Sequence, residues 1–444
     1  MNNNFKDPES LTKIEKINSE DVNSNKLFTP ITIGKLKLSG RVIKSAMVET
    51  LCTKDGFVTP KLIEHYQQIA QGGTPLIITG AANYNLYGRG VPYQLSVDSD
   101  NKIPGLKKLT QAVHDLGGKI MAQVYHTSRQ ALPEPVGRKD AQAPSAVYEP
   151  SLGVSPREIT KAEIKENIAE FAEAALRCKT AGFDGVQIHA AHGYLISGFL
   201  TPHTNRRKDE YGGNFENRMR FLLEVYSAVR EKVGNDYPLI LKLNGSDDLP
   251  FRKGLKTQEL IKVAKRLEKV GIDAIEITAG HYESGTTFSR GNWKGFTKAM
   301  LKHGLGPSLG LTRRKGMAAV APLVDWYFNK VAGFKEAFNL DYAKQFTQAL
   351  SIPVICVGGF VNKETMAQAL EQGDCDMVAV ARGFIADPYL YRNMKENIKG
   401  PKCNYCNACF ARPGVQPLTC YEPNISAERA KMLSEPFYKE AAHS

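Results

Sequence analysis

With 444 residues, 42% of them apolar, the chain has the composition of a globular protein. No apolar run approaches the ~18 residues of a membrane span, so no membrane partner is expected. A formal net charge of +12 suits anionic ligands, but the basic residues are dispersed, with one short run at Arg313–Lys315 and no dense block interleaved with aromatics, so nucleic acid is not the expected partner. The length exceeds a usual single core yet accommodates one barrel domain of about 250–400 residues.

The first 26 residues are polar and lack the apolar core of a secretory signal. They read as a disordered or surface-draped extension, and a cytoplasmic location is expected. Eight short apolar or β-branched runs follow, at 42–46, 75–82, 119–126, 185–190, 238–244, 274–279, 353–358 and 377–381. Stretches with helical spacing lie between them, at 160–182, 217–233, 257–271 and 363–373, and several end in Gly, as helix C-caps do. Eight β–α units imply an α/β protein of the (β/α)8 barrel (TIM barrel) class, spanning 27–400, with its site at the strands' C-terminal ends. A doubly wound sheet shows the same alternation, but chemically distinctive residues at many strand exits favour the barrel.

Two connections are long. Residues 127–159 are rich in Pro and Ser, and 281–340 form a larger insertion after the sixth strand, with SRGNWKGF and a Trp326-Tyr327-Phe328 cluster. Such loops are commonly lids or small subdomains. The larger one is read either as shaping substrate choice or as a surface subdomain or oligomer contact. Of eight cysteines, Cys52, Cys178, Cys356 and Cys375 sit in apolar or mixed segments and read as buried thiols. The other four, Cys403, Cys406, Cys409 and Cys420, cluster in a C-terminal tail, 401–444, with the spacing C-x2-C-x2-C-x10-C. In a cytosolic chain this points to metal or redox chemistry before disulfides. A [4Fe–4S] cluster, a tetrahedral zinc ion and thiols without metal are all compatible with it.

The most informative stretch is 185–220, GVQIHAAHGYLISGFLTPHTNRRKDEYGGNFENRMR. An apolar strand releases His189, His192 and Tyr194 at its exit, backed by a Gly-punctuated loop (205–213) and a helix opening near Phe215. The pattern H-A-A-H-G-Y-L, F-L, N-x-R-x-D-x-Y-G-G, E-N-R resembles the old yellow enzyme family of FMN-dependent oxidoreductases, and the resemblance extends over about 27–388, including VAVARGFIADP at the last strand.

The resemblance implies FMN, with NAD(P)H as reductant. Ser45, Ala46 and Met47 would lie under the isoalloxazine ring, with Val48 where relatives commonly carry Thr or Cys. Ala81 would meet the flavin edge. Gln123 would bond the pyrimidine N3 and O2, an edge that needs both a donor and an acceptor. Lys242 stands where relatives usually place Arg, offering charge near N1 and O2 without the bidentate fork. Gly358, Gly359, Arg382 and Gly383 would form the phosphate site on the last two strands' loops. His189 and His192 would hydrogen-bond a substrate carbonyl or nitro oxygen, and Tyr194 would protonate the α-carbon of an activated alkene after hydride transfer from flavin N5. The 205–213 loop and Arg218 support rather than react.

The cysteine spacing is similar to the iron–sulfur motif following the barrel in 2,4-dienoyl-CoA reductase and trimethylamine dehydrogenase, with a slightly shorter last gap. Those chains continue into nucleotide-binding domains, which are not expected here, with two dozen residues following Cys420. The expectation is an ene-reductase acting on a small molecule. The alternatives are an oxidative flavoenzyme (N-demethylase or dehydrogenase) or an electron-transfer subunit working through an iron–sulfur cluster. Homo-oligomerisation stays open. A metal-dependent aldolase on the same barrel would need a carboxylate cluster at the strand ends that the sequence does not offer.

Overall fold

The computed structural model describes residues 24–249, 253–284 and 287–435. Residues 1–23 of the expected N-terminal extension lie outside them. The eight anticipated strands are present as β1 (Val42–Lys44), β2 (Ile77–Ile78), β3 (Ile120–Tyr125), β4 (Gly185–Ala190), β5 (Leu239–Asn244), β6 (Ala274–Thr278), β7 (Val354–Val357) and β8 (Met377–Val380). Every neighbouring pair is parallel. β8 pairs β1 and β1 pairs β2, which pairs β3, so the sheet closes on itself as a (β/α)8 barrel.

Helices α1 (Pro60–Gln71), α2 (Ile103–His114), α3 (Lys161–Thr180), α4 (Leu195–Leu200), α5 (Phe215–Val233) and α6 (Thr257–Lys269) follow the first five strands in turn. Beyond β6 come α7 (Phe296–His303), α8 (Leu311–Ala332) and α9 (Leu340–Thr347), then α10 (Lys363–Glu371), α11 (Arg382–Ala386), α12 (Leu390–Glu396) and α13 (Pro423–Ser434). Their starts follow local chemistry. Thr160 and Glu163 form a reciprocal capping box on α3, and Thr59 caps α1 ahead of Pro60. Among the described residues no helix is long and apolar enough to cross a membrane.

The side-chain period of two sorts the barrel interior into layers. Near the strands' N-terminal ends, Met121, Ile240, Ala274, Ile355 and Met377 pack with Ile33 and Leu38 of a small hairpin (Ile31–Ile33 with Leu36–Leu38) that plugs the bottom. Two residues on, the inward positions turn polar: Gln123 on β3, Gln187 on β4, Lys242 on β5 and Glu276 on β6. Gln123 stands opposite Gln187, and Lys242 opposite Glu276, in the parallel register. Outward residues of the same strands, among them Val186, Ile188, Leu241, Ile275 and Ile277, form the main core against the helices.

Both long connections stand on the C-terminal face. Buried Arg129, from the first, donates to the carbonyls of Val147 and Tyr148 and pairs with Glu283 of the second, which also takes a 3.0 Å contact from His203. Burial pushes the Glu283 carboxyl up, but its bond to His203 and the charge of Arg129 prevail and hold it at about 2. The insertion after β6 is a helical subdomain of α7 and α8. Its two ends meet in a bridge between Gly291 and Gly333, and a Cβ on Gly291 would lie 2.5 Å from the Tyr405 carbonyl of the tail.

Trp293 anchors the subdomain: it is fully buried, donates from Nε1 to the Ala332 carbonyl at 2.7 Å, and packs on Phe296, Phe328 and Phe410. Trp293→Ala is expected to cost about 3–5 kcal/mol, released locally. Limited proteolysis should cut within 290–334 while the barrel fragment stays intact; cleavage indistinguishable from wild type would remove Trp293 as the anchor.

Candidate active site

Strand alternation and closure deliver the anticipated residues to one cleft at the barrel's C-terminal mouth. Ser45, Ala46, Met47, Val48, Ala81, Gln123, His189, His192, Tyr194, Lys242, Gly358, Gly359 and Arg382 all line it, and it encloses about 1430 Å³ of non-atom space, mouth included. Gly383 sits behind Arg382 and borders an adjoining groove instead.

The floor is a continuous hydrogen-bonded chain. Gln123 Nε2 donates to Gln187 Oε1 at 2.5 Å, and Gln187 Nε2 to Glu276 Oε2 at 2.5 Å. Glu276 Oε1 accepts from Lys242 Nζ at 2.7 Å and Ser45 Oγ at 2.6 Å, and Lys242 Nζ also donates to Ser45 Oγ at 3.1 Å. Ser45 thus contributes its side chain to the floor network. Burial pushes the Glu276 carboxyl up, but Lys242, with the Ser45 and Gln187 hydrogen bonds, outweighs this and holds it below its ordinary value. An ammonium has three donors, so these two bonds leave one for a ligand. Behind the floor, buried Lys44 donates to the Ile78 carbonyl at 3.1 Å and lies 3.8 Å from Glu49. Burial lowers the Lys44 ammonium to about 8 and raises the Glu49 carboxyl.

This donor set fits the flavin that the resemblance implies. A side-chain amide and an ammonium face the cleft from adjacent quarters of the barrel, and Ala46, Val48, Ala81 and Val380 leave its wall smooth. Both amide atoms of Gln130, which also lines the cleft, are buried without a partner, so the site has hydrogen-bonding capacity for a polar ligand.

The exit of β4 forms the second wall. His189 Nδ1 accepts the Ala191 backbone N–H at 3.2 Å, which places its proton on Nε2. His192 has left-handed backbone (φ 62°), fixed by Asn244 Oδ1 accepting its N–H at 3.2 Å, and its Nε2 contacts Thr278 Oγ1 at 2.9 Å. Burial, and then neighbouring positive charge, holds both imidazoles well below their ordinary value, so they are neutral at physiological pH. Tyr194 packs edge-on against Tyr125 and His189, and its hydroxyl lies 3.3 Å from that of Tyr282. Burial, reinforced by Tyr282 and Tyr125, raises its phenol well above 10. Asn205 donates to the carbonyls of Phe199 and Tyr211, and Arg218 to those of Leu200 and Gly213, bracing the loop behind this exit.

At the opposite end Gly358 and Gly359 have φ of 152° and 74°, and a Cβ on Gly359 would lie 2.6 Å from the Lys335 carbonyl. Arg382 donates to Asn407 Oδ1 and to the Arg290 carbonyl (2.7 Å), with its guanidinium 4.4 Å from the Tyr405 ring. It therefore joins the strand end to the tail and the insertion. The tail is a wall of the site: Tyr405, Cys409, Phe410, Pro413, Gln416 and Leu418 line the cleft.

Behind that wall, Cys403, Cys406, Cys409 and Cys420 converge on a second, smaller cavity, which shares Arg382, Tyr405 and Cys409 with the first. Tyr405 and Asn407, between the thiols, have left-handed backbone (φ 56° and 57°), and the Tyr405 N–H points to Cys403 Sγ at 3.4 Å. Burial pushes the Cys409 thiol up to about 12. Among the described residues no three His, Cys, Asp or Glu side chains are placed to share one metal ion.

Gln187 and Glu276 carry a sequence signal of their own, a polar side chain flanked by aliphatic residues within a strand, V-Q-I in GVQIHA and I-E-I in AIEIT. Tyr282, Phe288 and Phe410 come from the insertion and tail, where no periodicity announces them. Glu276→Gln would leave Lys242 buried without a counter-charge, and a loss of about 3–5 kcal/mol is expected in denaturant unfolding at pH 7. Because the folded-state carboxyl sits below its ordinary 4.5, the pair's contribution is present above that value and fades as pH falls through the folded one. The gap between wild type and variant should narrow below pH 4.5; a constant gap from pH 7 to pH 3 would contradict the ion pair.

The model of the NADH:flavin oxidoreductase / NADH oxidase family matches residues 26–303 and 309–400. The NADH oxidase of Thermoanaerobacter brockii is 36% identical over 385 residues, covering 86% of this chain and 52% of the relative. The NADPH dehydrogenase of Bacillus subtilis (strain 168) is 32% identical over 376 residues, covering 84% and 96%. The chain spans about half the length of the first curated relatives it matches, 52% and 48%. Among solved structures, a 2-naphthoyl-CoA reductase in complex with 2-naphthoyl-CoA aligns with a TM-score of 0.77 at 26% identity, over 91% of this chain and 58% of that one. Morphinone reductase in complex with tetrahydroNAD aligns with a TM-score of 0.64 at 26% identity, over 84% and 91%. The chain belongs to the NADH:flavin oxidoreductase / NADH oxidase family, that of the old yellow enzymes.

Proposed function

We propose that the chain uses NAD(P)H to reduce activated C=C bonds in α,β-unsaturated carbonyl or related compounds. The observation that carries this reading is the pairing, in one cleft, of neutral imidazole donors and a protonated phenol with the Gln123–Lys242 floor. Gln123, Lys242 and Ser45–Met47 would hold the flavin of FMN, and Gly358, Gly359, Arg382 and Gly383 its phosphate; FMN would supply the hydride transfer from NAD(P)H to the alkene. His189, with its proton on Nε2, donates a hydrogen bond to the substrate oxygen and stabilises the charge that develops there. His192, seated on Thr278, supports the same oxygen from the next position. Tyr194 keeps its proton through the physiological range and delivers it to the carbon α to the activating group. The rings of Tyr282, Phe288 and Phe410 line the same cleft and exclude water from it.

Tyr194→Phe should slow alkene reduction by about 10²-fold or more while leaving flavin reduction by NAD(P)H near wild type, as resolved by separate stopped-flow half-reactions. With a phenol raised above 10 and imidazoles lowered below 6.5, the wild-type alkene half-reaction should show no inflection between pH 6.5 and 9. Equal slowing of both half-reactions would remove Tyr194 as the proton donor.

The convergence of four thiols on one cavity, one of them shared with the cleft, supports a second component of this reading: Cys403, Cys406, Cys409 and Cys420 hold a [4Fe–4S] cluster. A cluster occupies space between its ligand sulfurs, so its thiolates stand further apart than the ligands of a single zinc ion. The Tyr405 N–H, aimed at Cys403 Sγ at 3.4 Å, is a donor that such an anion would use. The cluster would let electrons pass between the cleft and a partner, in the reductive direction or, as an oxidative flavoenzyme or electron-transfer subunit would, outward. Anaerobic purification should yield about four irons and four sulfides per chain, lost in Cys409→Ser with flavin retained. An iron-free protein, colourless after FMN removal, would rule out the cluster and leave the ene-reductase reading standing.

A further inference from the structure

Helix α8 is apolar over most of its length yet largely uncovered. Half of the twelve large apolar side chains exposed among the described residues lie between 311 and 334: Leu311, Val320, Leu323, Trp326, Tyr327 and Phe334. A run of large apolar side chains on a helix is ordinarily covered by protein or by lipid. Within α8 only Ala321, Asp325 and Ala332 are buried.

The charges are as one-sided as the exposure. Asp325 is the helix's single acid, and it turns inward, accepting from the backbone N–H groups of Gly295 and Thr297 to cap α7. The solvent side carries Arg313, Arg314, Lys315 and Lys330, the last lying 5.5 Å over the Trp326 ring. Packing two copies face to face would set these cations against one another. An anionic lipid surface satisfies both features: aliphatic and aromatic side chains enter the headgroup–acyl boundary while Lys and Arg stay at the phosphates.

We propose that α8 docks this chain on an anionic membrane surface, lying in the interface rather than spanning it. Among the described residues no helix is long and apolar enough to cross a membrane, which does not bear on a helix that lies flat. The helix belongs to the subdomain beside the cleft. Phe288, just before it, lines the cleft, and Arg313 reaches the Leu152 carbonyl across the face at 2.6 Å. The docked chain therefore presents its C-terminal barrel face to the lipid.

The chain provides its own reporter. Of its two tryptophans, Trp293 is fully buried and Trp326 is 58% exposed. Flavin-loaded full chain mixed with vesicles of equal parts phosphatidylglycerol and phosphatidylcholine should co-sediment and show a blue shift of Trp326 emission. Pure phosphatidylcholine vesicles should give neither, and about 0.5 M salt should weaken the binding. Arg314→Glu with Lys315→Glu, and separately Leu323→Glu with Tyr327→Glu, should each lower the vesicle partition coefficient about tenfold or more while bound-flavin absorbance is kept. Absence of binding and of a Trp shift in the unsubstituted chain overturns the proposal. So does equal binding to neutral vesicles. Self-association in lipid-free solution that Leu323→Glu with Tyr327→Glu dissolves would assign the face to a second copy instead. The unsubstituted chain alone decides the matter if the variants do not fold.

Discussion

An ammonium and a carboxylate meet inside a closed barrel, and the floor of the site is built around them. Lys242 and Glu276 sit opposite each other on adjacent parallel strands, one layer above an apolar plug, where neither is tolerable alone. Each therefore constrains the other's rotamer, and the constraint spreads. Ser45 is held by both, Gln187 by Glu276, and Gln123 by Gln187. Four strands and the first strand exit share one network, so the positions offered to a ligand are set by the barrel's own geometry.

The upper half of the site is organised differently. Its residues come from long connections and from the tail, and they are held by contacts between segments far apart in sequence. Arg129 with Glu283 ties the two long connections together. Asn407 with Arg382 and Trp293 with Phe410 tie the tail to the last strand and to the insertion. Such walls can diverge without disturbing the floor, which is how one barrel carries many substrate classes.

The barrel and its floor were legible because closure and the period of two are written locally. Each strand is a short apolar run, and a polar residue at an inward position stands out, as Gln123 and Lys242 do. The motif around His189, His192 and Tyr194 is continuous in sequence and comes to the cleft as one piece. Glu276 is different: a lone carboxylate in AIEIT takes its meaning from Lys242 on the neighbouring strand, 34 residues earlier in the chain. Phe288, Phe410 and the Arg382–Asn407 link were beyond sequence reasoning for a different reason. They depend on tertiary docking of irregular backbone, which leaves no period to read. The expected phosphate role of Arg382 shows the same limit. Its place in the cleft was foreseeable, while its attachment to the tail was not.

The cleft's wall also has an order in time. All eight barrel strands are complete by residue 380, whereas Tyr405, Cys409, Phe410, Pro413, Gln416 and Leu418 follow them in the chain. During synthesis, at about 5–20 residues per second, the floor can assemble seconds before the last wall reaches it. The basin is open while it forms and becomes a cleft only when the tail settles across its rim.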